Sequence, residues 1–155
     1  MASRRDEIRM SPEEVEAFLQ ETHTMSVATI GPTGHPHLVA MWYGFLDGAP
    51  AFWTFAKSQK IINLRRDPRI TCLVEEGDKY SELRGVELVG TGTIMDDLNK
   101  ILEVGLSTGE RHTGPAARSA DARPFLEKQA AKRLVVRVEV ERVVSWDHRK
   151  LAGQY

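Results

Sequence analysis

The sequence predicts a mainly β, α+β fold in which six antiparallel strands close into a barrel and helices pack outside it. Three observations carry this. Six segments of strand length are either apolar throughout or alternate apolar with polar residues. Most are joined by short turns rich in Gly, Pro and Asp, which favours antiparallel neighbours. The longest segment carries glycines at 85, 90 and 92, and glycine inside a strand marks a bulge, a bend or a close backbone approach.

Taken in order, residues 1–10 read as a flexible arm and 11–155 as a single domain. Ser11 is a helix cap, Pro12 suits the first helical position, and a following glutamate can close a capping box. Val15, Phe18 and Leu19 give that helix its apolar stripe, and it is expected to end near Thr22. Residues 25–30 and 37–46 form strands joined by the turn Gly31-Pro32-Thr33-Gly34. Asp47-Gly48 is a second hairpin signal, followed by a strand at 51–55. A short helix capped by Ser58 ends at Asp67-Pro68, because the residue before proline is pushed out of the α region. Strands follow at 70–74 and 83–94, then a helix over 97–106 with Asp96 as a possible cap. Residues 107–123 are polar, contain Gly and Pro and lack periodicity, so they read as a mobile loop. A helix at 125–132 leads to the last strand, 134–144, with Val136, Val138 and Val140 on one face.

Composition narrows the function. Lys and Arg number 21 against 22 Asp and Glu, a net charge of −1, so bulk attraction to nucleic acid or an anionic membrane is not expected. Cys72 is the single cysteine, which leaves no intrachain disulfide or multi-cysteine metal site, and its apolar strand makes it a small core residue. His35 and His37 flank Pro36 in a hairpin with no carboxylate cluster beside them, so no metal site is expected. Neither Gly-x-Ser-x-Gly nor Gly-x-Gly-x-x-Gly occurs. Residues 1–9 are charged without an apolar core and no apolar run reaches about 18 residues, so neither a signal peptide nor a membrane span is expected and a cytoplasmic protein is.

The chemistry concentrates where the aromatic stretch Phe52-Trp53-Thr54-Phe55 runs into Lys57-Ser58-Gln59-Lys60. Two lysines at a helix N-terminus oppose the helix dipole, at roughly 0.3–1 kcal/mol each. Basic residues on short helices more often form a solvated face. Here their placement makes physical sense if an anion sits between the ammonium groups and the free amides of the first turn. Asn63, three residues after Lys60, shares its face.

The pattern Ser58-x-Lys60-x-x-Asn63-Leu64-x-x-Asp67-Pro68-Arg69 behind an aromatic strand resembles the flavin-binding split-barrel family. That family includes pyridoxamine 5'-phosphate oxidase-like proteins and the reductases that use the deazaflavin coenzyme F420. The resemblance covers most of the chain, from about Pro12 to about Trp146. It implies a homodimer with the cofactor site at the subunit interface. It implies that Lys60 and Asn63, with Lys57 and Ser58 beside them, hold the cofactor's phosphate end. The ring is then expected against the strand from His37 to Trp42 and against Thr54. Met41 and Trp42 point to opposite sides, so at most one faces the ring. Arg84 and Gly85, from the same or the partner subunit, and His148 in the tail complete the implied site. A surface ion pair with Glu82 or Glu87 explains Arg84 equally well.

The activity implied is an F420-dependent reductase that passes hydride from the cofactor ring to a small conjugated acceptor. Leu83-Arg84-Gly85-Val86 and Trp146-Asp147-His148-Arg149-Lys150-Leu151 resemble the deazaflavin branch, and no residue stands out as the catalytic acid. The alternatives are a flavin mononucleotide (FMN)-dependent enzyme of the oxidase type and a non-catalytic protein that binds flavin, F420 or haem.

Overall fold

A computed structural model describes residues 3–153; the first two residues of the expected arm and the last two of the expected domain lie outside that range. The elements run α1 (Arg4–Glu7), α2 (Pro12–Glu21), β1 (Thr24–Ile30), β2 (Pro36–Trp42), β3 (Gly44–Leu46), β4 (Ala49–Phe55), α3 (Gln59–Arg66), β5 (Arg69–Glu76), β6 (Arg84–Met95), α4 (Leu98–Thr113), α5 (Arg123–Ala130) and β7 (Arg133–Asp147). Short 3-10 turns at Tyr80–Glu82, Pro115–Arg118 and His148–Leu151 complete the order.

All pairings are antiparallel, in the order β2-β1-β5-β6-β7-β4-β3. The sheet therefore has seven strands where six were expected. The stretch 37–46 does not stay one strand, because Tyr43 leaves the ladder. Its ring is fully buried, its hydroxyl donates to the Leu19 carbonyl at 2.6 Å and its amide donates to the His23 carbonyl. Before Tyr43 the chain pairs with β1; after it, with β4. One residue thus separates the two edge strands of the sheet, which curls the whole into an open barrel.

Strand alternation divides the core into two layers. Phe52, Val136 and Val138 join Phe18, Val27 and Ile61 inside the barrel. Ala51 and Val135 point the other way, against Ile101 and Val104 of α4. Each fully buried Val, Ile or Phe among these contributes about 1.5–3 kcal/mol. The glycines of β6 are explained by close approach. A Cβ on Gly90 would fall 1.9 Å from the Glu139 carbonyl oxygen, at a register shift where β7 carries an extra residue. Val140, expected to share the face of Val136 and Val138, keeps their register but is 39% exposed just before that bulge.

Three other expectations change. Residues 8–10 are not a loose arm: Met10 is buried, its amide donates to Ser145 Oγ, and the Asp147 amide donates to the Ile8 carbonyl. The stretch 107–123 is mostly ordered helix. α4 runs to Thr113 and stops where Gly114 takes a φ of 76°. Its cap is Asp97, accepting from the Lys100 amide at 3.1 Å, and not Asp96.

Candidate functional site

The barrel is open where β2 and β4 part, and α3 begins beside that opening. A groove of about 400 Å³ runs along it, lined by Met41 and Trp42 from β2, Trp53 and Thr54 from β4, Lys60 from α3 and Arg133 from β7. Both Met41 and Trp42 line the groove, where alternation allowed for one. It passes the end of β2, so both faces of the strand contribute.

Lys60 is the unusual group. Helix α3 presses Ile61, Asn63 and Leu64 into the barrel and carries Lys60 with them, 8% exposed. Its Nζ donates to Thr54 Oγ1 at 2.9 Å, and Thr54 Oγ1 donates to Ser58 Oγ at 3.4 Å. Burial holds the ammonium below the ordinary lysine range. Among the described residues no carboxylate pairs with Lys60, Lys57 or Arg133. A buried cation without an anion costs stability, and its neighbours offer one neutral hydroxyl. Ser58 occupies the N-cap position as expected, but its hydroxyl makes no capping bond. The N-terminus of α3 is thus open, with Lys57 exposed next to it.

Arg133 adds a second cation. Its guanidinium lies over the Trp53 ring at 4.8 Å and over the Phe55 ring at 4.3 Å, and Nη1 donates to the Gln129 carbonyl at 2.9 Å. Burial lowers its pKa from the ordinary arginine value. Trp42 forms the opposite wall, stacked on His112 with centroids 3.8 Å apart. Gly105 of α4 leaves room for Trp53, since a Cβ there would lie 2.7 Å from the indole.

A second chamber of about 480 Å³ shares Trp42, Trp53, Thr108 and Arg133 with the groove and extends under α5 to Phe125 and Leu126. A larger cavity of about 640 Å³ lies against the 3-10 turn after α4, but both of its arginines, Arg118 and Arg123, are paired to Glu110 and Glu127.

The remaining expected site residues lie elsewhere in the chain. Asn63 is fully buried: its Nδ2 donates to Thr29 Oγ1 at 3.0 Å, and its Oδ1 accepts from Gln59 and Arg66. It fastens α3 to β1. His37 faces inward opposite Thr29, with a buried, unpartnered Nδ1, away from the groove lining. Arg84, Gly85 and His148 stand at the other end of β6 and β7. Arg84 donates to Glu76 at 2.6 Å and Glu21 at 3.0 Å, rather than to Glu82 or Glu87. Gly85 makes room for the Trp146 ring, which a Cβ would approach to 2.3 Å. His148 Nδ1 meets the Tyr80 carbonyl at 3.0 Å, and its ring packs edge-on against Tyr80. Within one chain the structure brings together Met41, Trp42, Thr54 and Lys60, with Ser58 bonded to Thr54, and not this second group.

Arg133 and Thr108 were missed. Arg133 reads as the polar start of a strand, and Thr108 fell in the supposed loop. The spacing of Ile101, Val104, Gly105 and Thr108, all buried, is a helical stripe built partly from small residues.

The fold is thus a split barrel with a cation-lined groove at its opening. The chain belongs to the pyridoxamine 5'-phosphate oxidase family, whose N-terminal domain matches residues 11–147. Among solved structures, the conserved hypothetical protein Rv2991 from Mycobacterium tuberculosis is 44% identical, with a TM-score of 0.92 over 99% of this chain and 95% of that one. An F420 reductase is 26% identical, with a TM-score of 0.64 over 86% of this chain and 98% of that one. HutZ, the heme storage protein from Vibrio cholerae, shares the fold at 16% identity, with a TM-score of 0.65 over 92% of this chain and 99% of that one. No curated protein matches the chain.

Proposed function

We propose that the chain is an F420-dependent reductase that binds the cofactor's phosphate end at Lys60 and reduces a small conjugated acceptor. The carrying observation is the buried Lys60 ammonium, bonded to Thr54 and lacking a carboxylate, beside the open N-terminus of α3. An anion there gains the ammonium charge, the amides of the first turn and the helix dipole together. Lys57 adds charge from the rim, and the Ser58 hydroxyl, which accepts from Thr54, keeps its own proton for a ligand oxygen. Trp42, Met41 and Trp53 supply flat apolar walls for a ring, and Arg133 sits across the groove for an acidic group. When bound, the reduced deazaflavin supplies the hydride. The protein's part is to orient the ring and keep water from one face of it.

The 26% identity to an F420 reductase over nearly the whole of that protein supports deazaflavin over FMN. FMN remains the alternative ligand for the same phosphate position. Titration with both cofactors tests the reading. F420 is expected to bind more tightly than FMN, and acceptor reduction to require it. Binding of neither, or tight binding without turnover across a panel of enones and quinones, would remove the enzyme assignment.

We also propose a homodimer. Leu38 and Trp42 on the outward face of β2, with Phe55 and Ile62, expose large apolar side chains near the groove. A second copy covering them would place the groove at the subunit interface, while the Arg84, Gly85 and His148 end, its charge already matched within its own chain, stays outside it. Light scattering at micromolar concentration tests this, and a monomer would confine the site to one chain.

A further inference from the structure

We propose that Arg133 receives a carboxylate on the paired Nε–H and Nη2–H edge of its guanidinium, and that the molecule bringing it is an acidic, planar acceptor lying in the groove. This deepens the proposed function by naming the class of its acceptor. It rests on that function for the acceptor's reduction but not for its binding.

The guanidinium is held in place by its own chain. Phe55 stands directly opposite Arg133 in the β4–β7 ladder, and Trp53 points to the same side of β4. The guanidinium lies over both rings, which occupy a face of its plane and leave its in-plane donors alone. Of these, Nη1 donates to the carbonyl and the side-chain oxygen of Gln129. Nε and Nη2 have no partner among the described residues. Neither is among the side-chain atoms that are buried without a partner, so both can be reached. Trp53 and Phe55, which carry the guanidinium, line the groove together with Arg133, so the open edge is reached from there.

The same chain shows what this edge takes. Arg69, Arg84 and Arg149 each turn Nε and Nη2 onto one carboxylate, that of Asp67, Glu76 and Asp147. The parallel N–H groups of the fork match a carboxylate in a way that a lysine's point charge does not. Arg133 presents the fork and has no carboxylate. A guanidinium already fixed by stacking gives up little freedom when it binds. Lys60 lies across the groove, so this is a second anion position beside the one assigned to the phosphate. The indoles of Trp42 and Trp53 wall the space next to it, which suits a flat molecule with its acid at one edge.

The test uses 2-naphthoate and its neutral isostere 2-naphthamide, titrated calorimetrically into the full cofactor-free protein. The acid is expected to bind about tenfold more tightly than the amide. Arg133→Gln should weaken the acid about tenfold and leave the amide within about twofold. Arg133→Lys, which keeps the charge but not the fork, should still weaken the acid about threefold. The proposal is overturned if the acid and the amide bind alike or not at all, if Arg133→Gln leaves the acid unchanged, or if it weakens both probes alike. Titration of Arg133→Gln with F420 decides where the carboxylate comes from. An affinity within about twofold of wild type supports the acceptor. A loss of about tenfold would give Arg133 to an acidic part of the cofactor and overturn the proposal. Naphthoate binding at Arg133 in a protein that does not bind F420 would sink the proposed function and leave this site standing. F420 binding without a preference for the acid would sink this site alone.

Discussion

The two ends of the β6–β7 ribbon each carry a cation in a sheltered position, and they resolve its charge in opposite ways. At one end Arg84 lies over the Phe18 ring and donates to Glu76 and Glu21. At the other, Lys60 is more deeply buried and meets one threonine. The first end is complete within the chain. The second lacks a matching anion within the chain, and the proposed function supplies one from outside. On that reading a sheltered cation points to a binding site by what the chain fails to put beside it, and not by its charge.

The sharpest way to break this contrast is Lys60→Met. Loss of a charge-assisted bond is expected to lower affinity for F420 about 10- to 100-fold. The same change should raise the Tm of the cofactor-free protein by about 2–4 °C, because it removes an unmatched buried charge. The pH dependence follows from the sign of the Lys60 shift. Its folded pKa is depressed, so above that value the unfolded chain holds the extra proton up to 10.5. Wild-type stability then rises with pH across that window, and the gap to the variant closes. A variant that loses stability at pH 7 would mean that Lys60 is structural.

Gly85→Val probes the opposite end. A Cβ would stand 2.3 Å from the Trp146 ring, so the cost should be about 2–3 kcal/mol, or about 5–10 °C in Tm. Affinity of the folded protein for F420 should stay within about twofold.

How far these ends could be read from sequence differs for a physical reason. The oddity at Lys60, on which the proposed site rests, was legible because it is local: two lysines at the wrong end of a helix, next to an aromatic strand. The strands were legible from alternation, apart from the break at Tyr43, whose cause is a tertiary bond to Leu19. Arg84 was ambiguous because its partners, Glu76 and Glu21, come from other elements, while Glu82 and Glu87 were near in sequence. Helix α4 was cut short because its buried face at Gly105 and Thr108 uses small residues, which carry little hydrophobic signal. Thr108 and Arg133 reach the groove from elements that sequence spacing does not connect.

Arg84→Gln sharpens the comparison at a smaller scale. Replacing a guanidinium that bonds two partly exposed carboxylates should cost about 1 kcal/mol, seen as a Tm loss of about 2–4 °C. F420 affinity should not move. A loss as large as that of Lys60→Met would show that a second copy brings its Arg84 end to the groove, and the division between the two ends would then hold within one chain but fail in the assembly.

The smallest expected effect lies on the groove wall. His112 stacks on Trp42, and burial lowers its pKa from 6.5. As pH falls below 6.5 the unfolded chain takes up a proton that the folded chain resists, so stability is lost in the window just beneath that value. His112→Phe keeps a flat ring against Trp42 and removes the titration. Thermal melts at pH 7.5 and 5.5 should therefore show a slightly smaller drop in the variant, about 1 °C or less for so open a group. An equal drop in both proteins would mean that the acid sensitivity of this wall arises elsewhere, and that the stack keeps its geometry when His112 is charged.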